Sequence, residues 1–166
     1  HYWFGNGRRL LEMPFNEVLK TGKPDFPFCL SWANHDWEAK LFVKGSKNKM
    51  LIKQLYPGKD DYIAHFNALL PAFKDNRYIR VDNKPLFQIY SPLDIPDIEE
   101  FVEIWQKMAK QNGFEGIHFV GHTLNEEDIE KIISKGFDAV NTVRLFDLFK
   151  KKYSLPQRAY MKMMRI

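Results

Sequence analysis

The sequence has little cysteine and no long apolar run. Cys29 is the only cysteine among 166 residues, which excludes a disulfide within the chain and a metal site built from several thiolates. Because Cys29 lies in the apolar run 26–30, we expect a buried and unreactive thiol. The sequence also lacks a signal peptide and any apolar stretch that could span a membrane, which predicts a cytoplasmic protein without a membrane span.

Charge of one sign is not in large excess, since 25 Lys and Arg stand against 21 Asp and Glu and leave a net charge of +4. The two basic clusters, 44–53 and 150–152, are not accompanied by a nucleic-acid-binding motif, so we interpret them as solvated surface and predict no nucleic-acid partner. No glycine-rich phosphate loop is present, because Gly5-Asn6-Gly7 is too weak a pattern. The sequence therefore predicts no cofactor.

Aromatic residues are abundant, with 14 Phe, 7 Tyr and 4 Trp, and the apolar spacing alternates between that of strands and that of helices. Strands are predicted near 26–32, 85–90, 117–120 and 137–140. Helices are predicted to begin at Pro14, at Asp60 or Asp61, at Asp97 and at Asn125. Pro71 is expected to break the second helix. This alternation is typical of a parallel sheet covered by helices.

Two architectures fit roughly five strand–helix units of this spacing, an open doubly wound sheet or part of an eight-unit barrel. Polar and aromatic side chains gather directly after several predicted strands, at Asn34-His35-Asp36-Trp37, Tyr90-Ser91 and Gly121-His122-Thr123. In barrels that edge carries the chemistry. The predicted fold class is therefore α/β, of the (β/α)8 TIM-barrel type, with only part of the barrel in this chain.

Residues 1–166 are predicted to form a single domain. The chain begins inside a predicted strand without an initiator Met, so we expect it to be a fragment of a longer (β/α)8 catalytic domain. A partial barrel leaves unpaired strand edges and an open interior. We therefore expect it to associate either with the missing remainder of its own barrel or with another copy of itself.

Several blocks of sequence resemble one known family when taken in order. They are His1-Tyr2-Trp3-Phe4, Pro14-Phe15, Gly22-Lys23-Pro24-Asp25-Phe26-Pro27-Phe28, Trp32-Ala33-Asn34 and Val81-Asp82-Asn83-Lys84-Pro85-Leu86-Phe87. Together they resemble the WbsX-like glycosyltransferase family, which is related to glycoside hydrolase family 99. The resemblance implies a (β/α)8 barrel that acts on bacterial surface polysaccharide, such as lipopolysaccharide O-antigen or capsule. Members are called glycosyltransferases, but the fold relationship is to endo-acting, mannose-cleaving hydrolases.

The chain departs from the family pattern at two places. The family motif W-A-N-E-N-W reads Trp32-Ala33-Asn34-His35-Asp36-Trp37 here, so His35 replaces a glutamate. A later W-N-E-W-x-E segment of the family does not occur in these residues. The resemblance thus implies a glycosyltransferase or glycoside hydrolase as part of the full-length protein, with this chain alone inactive. A non-catalytic sugar-binding remnant and a generic α/β domain that binds another small molecule remain as alternatives.

The stretch 31–40, SWANHDWEAK, places three hydrogen-bonding residues between two tryptophans. Aromatic rings stack on the C–H face of a sugar, and Asn, Asp and His bond its hydroxyls, so an oligosaccharide or another sugar-containing substrate is the predicted ligand. The alternative is that Trp32 finishes a core strand and Trp37 packs under the loop. The predicted substrate-binding residues are Tyr2, Trp3, Trp32, Asn34, Trp37, Tyr90 and His122.

Asp36 is the predicted catalytic acid, base or charge stabiliser, and His35 is the second catalytic candidate. Glycosidic chemistry normally needs two carboxylates, and beyond the pair Asp36 and Glu38 no second carboxylate at a strand end stands out. His118 and His122 are spaced to face the same side of a strand, yet without a third ligand they are weak evidence for a metal, and no metal site is predicted. His65 is expected at the surface of its helix.

Overall fold

The computed structural model of the protein describes residues 1–39 and 49–142. The basic segments 44–48 and 150–152 lie outside the described residues. The elements, in chain order, are β1 (Tyr2–Trp3), β2 (Arg9–Leu10), α1 (Met13–Thr21), β3 (Leu30–Trp32), β4 (Trp37–Ala39), β5 (Lys49–Ile52), α2 (Lys59–Phe73), β6 (Arg80–Val81), β7 (Lys84–Ile89), α3 (Ile98–Gln111), β8 (His118–Thr123), α4 (Ile129–Ser134) and β9 (Ala139–Thr142).

The central sheet is mostly parallel and follows the order of the chain. Strands β3, β7, β8 and β9 are neighbours in that order and all run parallel, which confirms the predicted parallel sheet. Strand β6 adds to β7 in the opposite direction through a tight turn at Asp82 and Asn83, whose φ angles of 48° and 58° suit such a hairpin. The amide of Ala33 donates to the carbonyl of His1 at 3.1 Å, so the start of β1 lies beside the end of β3.

One face of this sheet carries the core. Phe87 on β7 and Phe119 on β8 lie in one register row, and both rings contact Trp105 of α3, at centroid distances of 4.8 and 6.1 Å. Phe73 brings α2 to the same face, 6.2 Å from Phe87. All these rings are fully buried. Because burial removes apolar surface from water, each ring contributes roughly 3 kcal/mol to the free energy of folding.

Helix α4 covers the same face as α2 and α3. Gly121 on β8 has so little room that an added Cβ would lie 2.5 Å from Cγ2 of Ile132 on α4. The opposite face carries the row Ser31, Gln88, Val120 and Ala139, whose side chains are half-buried or exposed. The part of the chain that is described is thus a mostly parallel α/β sheet with helices on one face, and no closed barrel lies within it.

Three local predictions were wrong. Helix α2 continues through Pro71 to Phe73, because Ala72 and Phe73 are fully buried and anchor the last turn in the core. Cys29 is exposed, because it immediately precedes Leu30 and alternation along the strand points it away from the helices. His65 is fully buried rather than at the surface.

His65 sits in a cage of aromatic rings between the sheet and α2. Its ring stacks on Trp3 at 4.6 Å and is met edge-on by Trp32 at 4.7 Å. Its Nε2 lies 2.7 Å from Nε2 of His1. Burial, aided by the charge of Arg9, lowers the pKa of His65 well below its usual value, so this imidazole is neutral at pH 7.

Candidate functional site

Three rings stand in a row at the carboxyl ends of neighbouring parallel strands. His35 follows β3, Tyr90 follows β7 and His122 lies near the end of β8. The ring of Tyr90 is 5.4 Å from that of His35 and 4.8 Å from that of His122, and it is nearly parallel to the latter at 20°. Parallel strands bring these residues together because their carboxyl ends share one edge of the sheet.

Tyr90 separates two depressions in this edge and is itself 43% exposed. The first, which we call the cleft, has a volume of about 480 Å³ and is lined by His35, Asp36, Trp37, Glu38, Leu51 and Tyr90. The second, which we call the hollow, measures about 230 Å³ and is lined by Tyr90, Ser91, Pro92, Leu93, Asp94, His122, Thr123, Leu124, Asn125, Asp128 and Ile132. Both depressions share Tyr90 as a wall.

Asn34 lies beneath the cleft and is only 1% exposed. Its Nδ2 donates to the carbonyl of Ser91 at 2.7 Å and to the hydroxyl of Tyr56 at 3.0 Å, and its Oδ1 accepts from the amide of Ser91 at 2.8 Å. Both amide hydrogens are therefore used within the protein. Burial raises the pKa of Tyr56 to about 12, so its hydroxyl stays protonated and donates to the carbonyl of Asn34. Asn34 thus joins the loops that follow β3 and β7 and has no amide hydrogen left for another partner.

Asp36 and Trp37 form the open side of the cleft. Oδ1 of Asp36 accepts from the amide of Gln54 at 2.6 Å, which ties the loop after β3 to the segment after β5. Trp37 meets the rings of Tyr2 and Phe4 edge-on, at 4.9 and 5.4 Å. Because Asp36 is exposed and Trp37 only half-buried, both present atoms to the cleft.

The structure does not bring Trp3 or Trp32 to the cleft. They are 3% and 1% exposed. Nε1 of Trp32 donates to the carbonyl of Trp3 at 3.0 Å, and Nε1 of Trp3 donates to Asp61 at 2.8 Å. Both rings pack between the sheet and α2, as the packing alternative for Trp32 expects, and Tyr2 is held nearer the surface through its contact with Trp37.

His122 belongs to the hollow and His118 does not. His122 is 8% exposed, and burial lowers its pKa. Its Nδ1 is buried without a hydrogen-bond partner among the described residues. His118 lies at the amino end of β8, where its Nδ1 is 3.9 Å from Oδ1 of Asp138. Within residues 1–39 and 49–142 no group of three or more His, Cys, Asp or Glu is placed to hold a metal ion.

Sequence reasoning missed Tyr56, Gln54, Asp94 and Asp128. Tyr56 and Gln54 fix the cleft through hydrogen bonds to Asn34 and Asp36, and Asp94 and Asp128 line the hollow. No spacing pattern connects these positions with residues 34–37, because the contacts depend on how loops from different strands meet. The position of Asp94 shortly after a predicted strand is the only signal that could have marked it.

Comparison with known proteins gives a consistent picture. The family model described as Glycosyltransferase WbsX matches residues 1–165. Two curated relatives, each called "Uncharacterized protein WxcX" and found in two strains of Xanthomonas campestris pv. campestris, are 33% identical over 119 residues. That alignment covers 70% of this chain and 16% of each relative, so the chain spans a small part of their length. No solved structure matches. None of the helices described is long and apolar enough to cross a membrane.

Proposed function

Because the chain belongs to the WbsX glycosyltransferase family, we propose that it forms the sugar-binding side of a carbohydrate-active domain that acts in the biosynthesis of bacterial surface polysaccharide. The observation that carries this proposal is the row of His35, Tyr90 and His122 with a depression on either side. A concave site with aromatic walls and a few polar groups is the usual form of a small-molecule pocket.

The cleft offers the two kinds of contact that a sugar needs. Trp37 and Tyr90 supply ring surface for the C–H face of a pyranose, and His35 and Asp36 supply hydrogen-bonding groups for its hydroxyls. Asn34 acts from below by fixing the loop that carries Tyr90. Tyr2 supports the site through Trp37, and His122 continues the aromatic row.

The one-sided sheet supports an arc of a (β/α)8 barrel as the architecture of this domain. An open doubly wound sheet carries helices on both faces, whereas α2, α3 and α4 all pack on the face of Phe87, Phe119 and Gly121. In a barrel the other face is the interior, and sites lie at the carboxyl ends of the strands. The cleft and the hollow have that position.

Asp36 is the group we propose for a direct chemical role, as acid, base or charge stabiliser, with His35 beside it. Glycosidic chemistry requires a second carboxylate about 5 to 10 Å away. The cleft contains Glu38, but the glutamates of the family motifs are replaced at position 35 or absent from these 166 residues. We therefore propose that this chain binds sugar and that turnover depends on residues outside it.

The test uses the complete protein that is encoded by the open reading frame containing this chain. Neutral linear tetrasaccharides of mannose, glucose and galactose are titrated calorimetrically, and hydrolysis or transfer is followed by chromatography of the products. Binding that is weakened by Asp36→Asn, together with turnover in the complete protein, supports an enzyme. Binding without turnover favours the non-catalytic remnant. If no glycan binds, the proposed function is wrong and a generic α/β domain remains.

A further inference from the structure

The hollow beyond Tyr90 is a second binding site that the cleft does not explain. We propose that it holds one neutral, hydroxyl-rich sugar unit, so that the ligand is a neutral oligosaccharide that crosses Tyr90 from the cleft into the hollow. This inference rests on the proposed function and deepens it by naming the ligand class. The cleft and the hollow share the Tyr90 wall, so a ligand that fills both must pass over the ring of Tyr90.

His122 supplies the hydrogen-bond donor of the hollow. Its Nδ1 is buried without a partner among the described residues, which leaves Nε2 as the ring nitrogen that a ligand in the hollow can reach. A buried N–H group without a hydrogen-bond partner is less well tolerated than a buried acceptor without one, so Nδ1 is better left without a proton. The neutral tautomer with its proton on Nε2 is therefore favoured, and that Nε2–H donates to a ligand oxygen.

The rest of the hollow accepts hydrogen bonds and excludes negative charge. The carboxylate of Asp94 has no side-chain partner in the described part of the chain and can accept from sugar hydroxyls. Asp128 adds a second negative charge, although its oxygens already bind Lys131 at 3.1 Å and Asn125 at 3.1 Å. No Lys or Arg of the described ranges lines the hollow or the cleft. Phosphates and uronates are disfavoured there by like-charge repulsion.

The apolar part of the hollow fits the other surface of a sugar. Pro92, Leu124 and Ile132 line it beside the polar groups, and they offer contact to C–H groups. Tyr90 already covers one face of the His122 ring, so that face is not available to a ligand. A donor, an acceptor and an apolar wall within one depression make a site for a single sugar unit.

The deciding experiment compares neutral and anionic ligands of equal length on the complete protein. Galactotetraose and tetragalacturonate are titrated against wild type, Asp94→Asn and His122→Leu, with Glu127→Gln as the matched control. Glu127 is exposed and lies next to Asp128 in the turn that follows β8, but it does not line the hollow. We expect wild type to prefer the neutral ligand by about tenfold or more, since one charge-assisted contact is worth about that factor.

Asp94→Asn should reduce the preference for galactotetraose over tetragalacturonate. His122→Leu should weaken binding of galactotetraose about tenfold. Glu127→Gln should change neither the preference nor the affinity. Because Asp94 is exposed, Asp94→Asn decides the matter even if His122→Leu does not fold. Equal affinity of wild type for both ligands, or displacement of galactotetraose by uridine diphosphate, would overturn the inference. If Trp37→Ala weakens glycan binding and both hollow variants leave it unchanged, the second subsite is wrong and the proposed function stands. If no glycan binds at all, both are wrong.

Discussion

Asn34 and Ser91 close a ring of two hydrogen bonds between loops that are 57 residues apart in the chain. The side-chain amide of Asn34 mimics a neighbouring strand, since it donates to the carbonyl and accepts from the amide of the same residue. This pairing holds the carboxyl ends of β3 and β7 together and fixes the position of Tyr90 next to Ser91. The shape of both depressions therefore depends on a residue that touches neither.

Replacement of Asn34 by Ala should lower stability as well as binding. The change leaves the half-buried amide of Ser91 without a partner and removes one of the two donors to its carbonyl, which also accepts from the amide of Asp94. We expect a loss of about 1 to 3 kcal/mol in the free energy of unfolding. Urea denaturation of the complete protein measures it, and Asn67→Ala on the exposed side of α2 is the control. A loss of binding with unchanged stability would instead mean that Asn34 contacts the ligand directly.

Replacement of Trp37 by Ala should weaken binding of neutral tetrasaccharides roughly three- to tenfold, because an aromatic stacking contact is worth about 0.5 to 1.5 kcal/mol. Calorimetric titration gives the dissociation constant. Phe26→Ala serves as the control, since Phe26 is 70% exposed and lines neither depression. Equal effects of the two substitutions would show that Trp37 has no specific role in the cleft.

Replacement of Gly121 by Ala should destabilise the sheet through crowding. The new methyl group would meet Ile132 at 2.5 Å and Phe137 and Pro92 at 3.3 Å, and overpacking of this kind costs about 1 to 3 kcal/mol. Ile132→Ala removes the Cγ2 atom that the new methyl group would meet. In urea denaturation the double variant Gly121→Ala with Ile132→Ala should therefore lose less stability than the sum of the two single variants. Strictly additive effects would contradict the close packing of α4 on β8.

Stability should fall as the pH drops below the pKa of an unfolded histidine, about 6.5. Burial lowers the pKa of His65 in the folded state, so the unfolded chain binds the proton more readily and acid favours unfolding. The loss in the free energy of unfolding approaches about 1.4 kcal/mol per pH unit for one such histidine. Urea denaturation between pH 7.5 and pH 5 measures it.

His65→Phe keeps a ring in the same aromatic cage and removes the titrating group, so its stability should depend less on pH over that range. His122 also has a lowered pKa and leaves part of the slope in both proteins. Identical slopes for wild type and His65→Phe would mean that His65 is protonated within the folded protein.

Local patterns were sufficient for the frame of the fold. The helix 98–111 has a continuous apolar stripe and ends before Gly113. The strands at 84–89 and 118–123 contain the short apolar runs Leu86-Phe87 and Phe119-Val120, so these features are set by nearby residues. Pro71 shows the limit, because the burial of Phe73 outweighs the local preference of proline to end a helix.

The details of the site could not be read from local patterns. His65 looks polar in its helix, and it is buried only because Trp3 and Trp32 arrive from other strands to enclose it. Asn34 was predicted to bind the substrate, whereas its side chain bonds Tyr56 and Ser91, which lie far away in the chain. Which polar residue meets a ligand and which one supports the loop is decided by such distant contacts.

The two depressions are built from separate pieces of chain, and of the residues that the structure describes only Tyr90 belongs to both. The cleft comes from residues 35–38 and 51, whereas the hollow comes from residues 91–94 and 122–132. Substitutions can therefore accumulate in one depression while the other keeps its shape. Related chains can in this way change the lining of one depression and retain the geometry of the other, so the two halves of this edge are free to diverge independently.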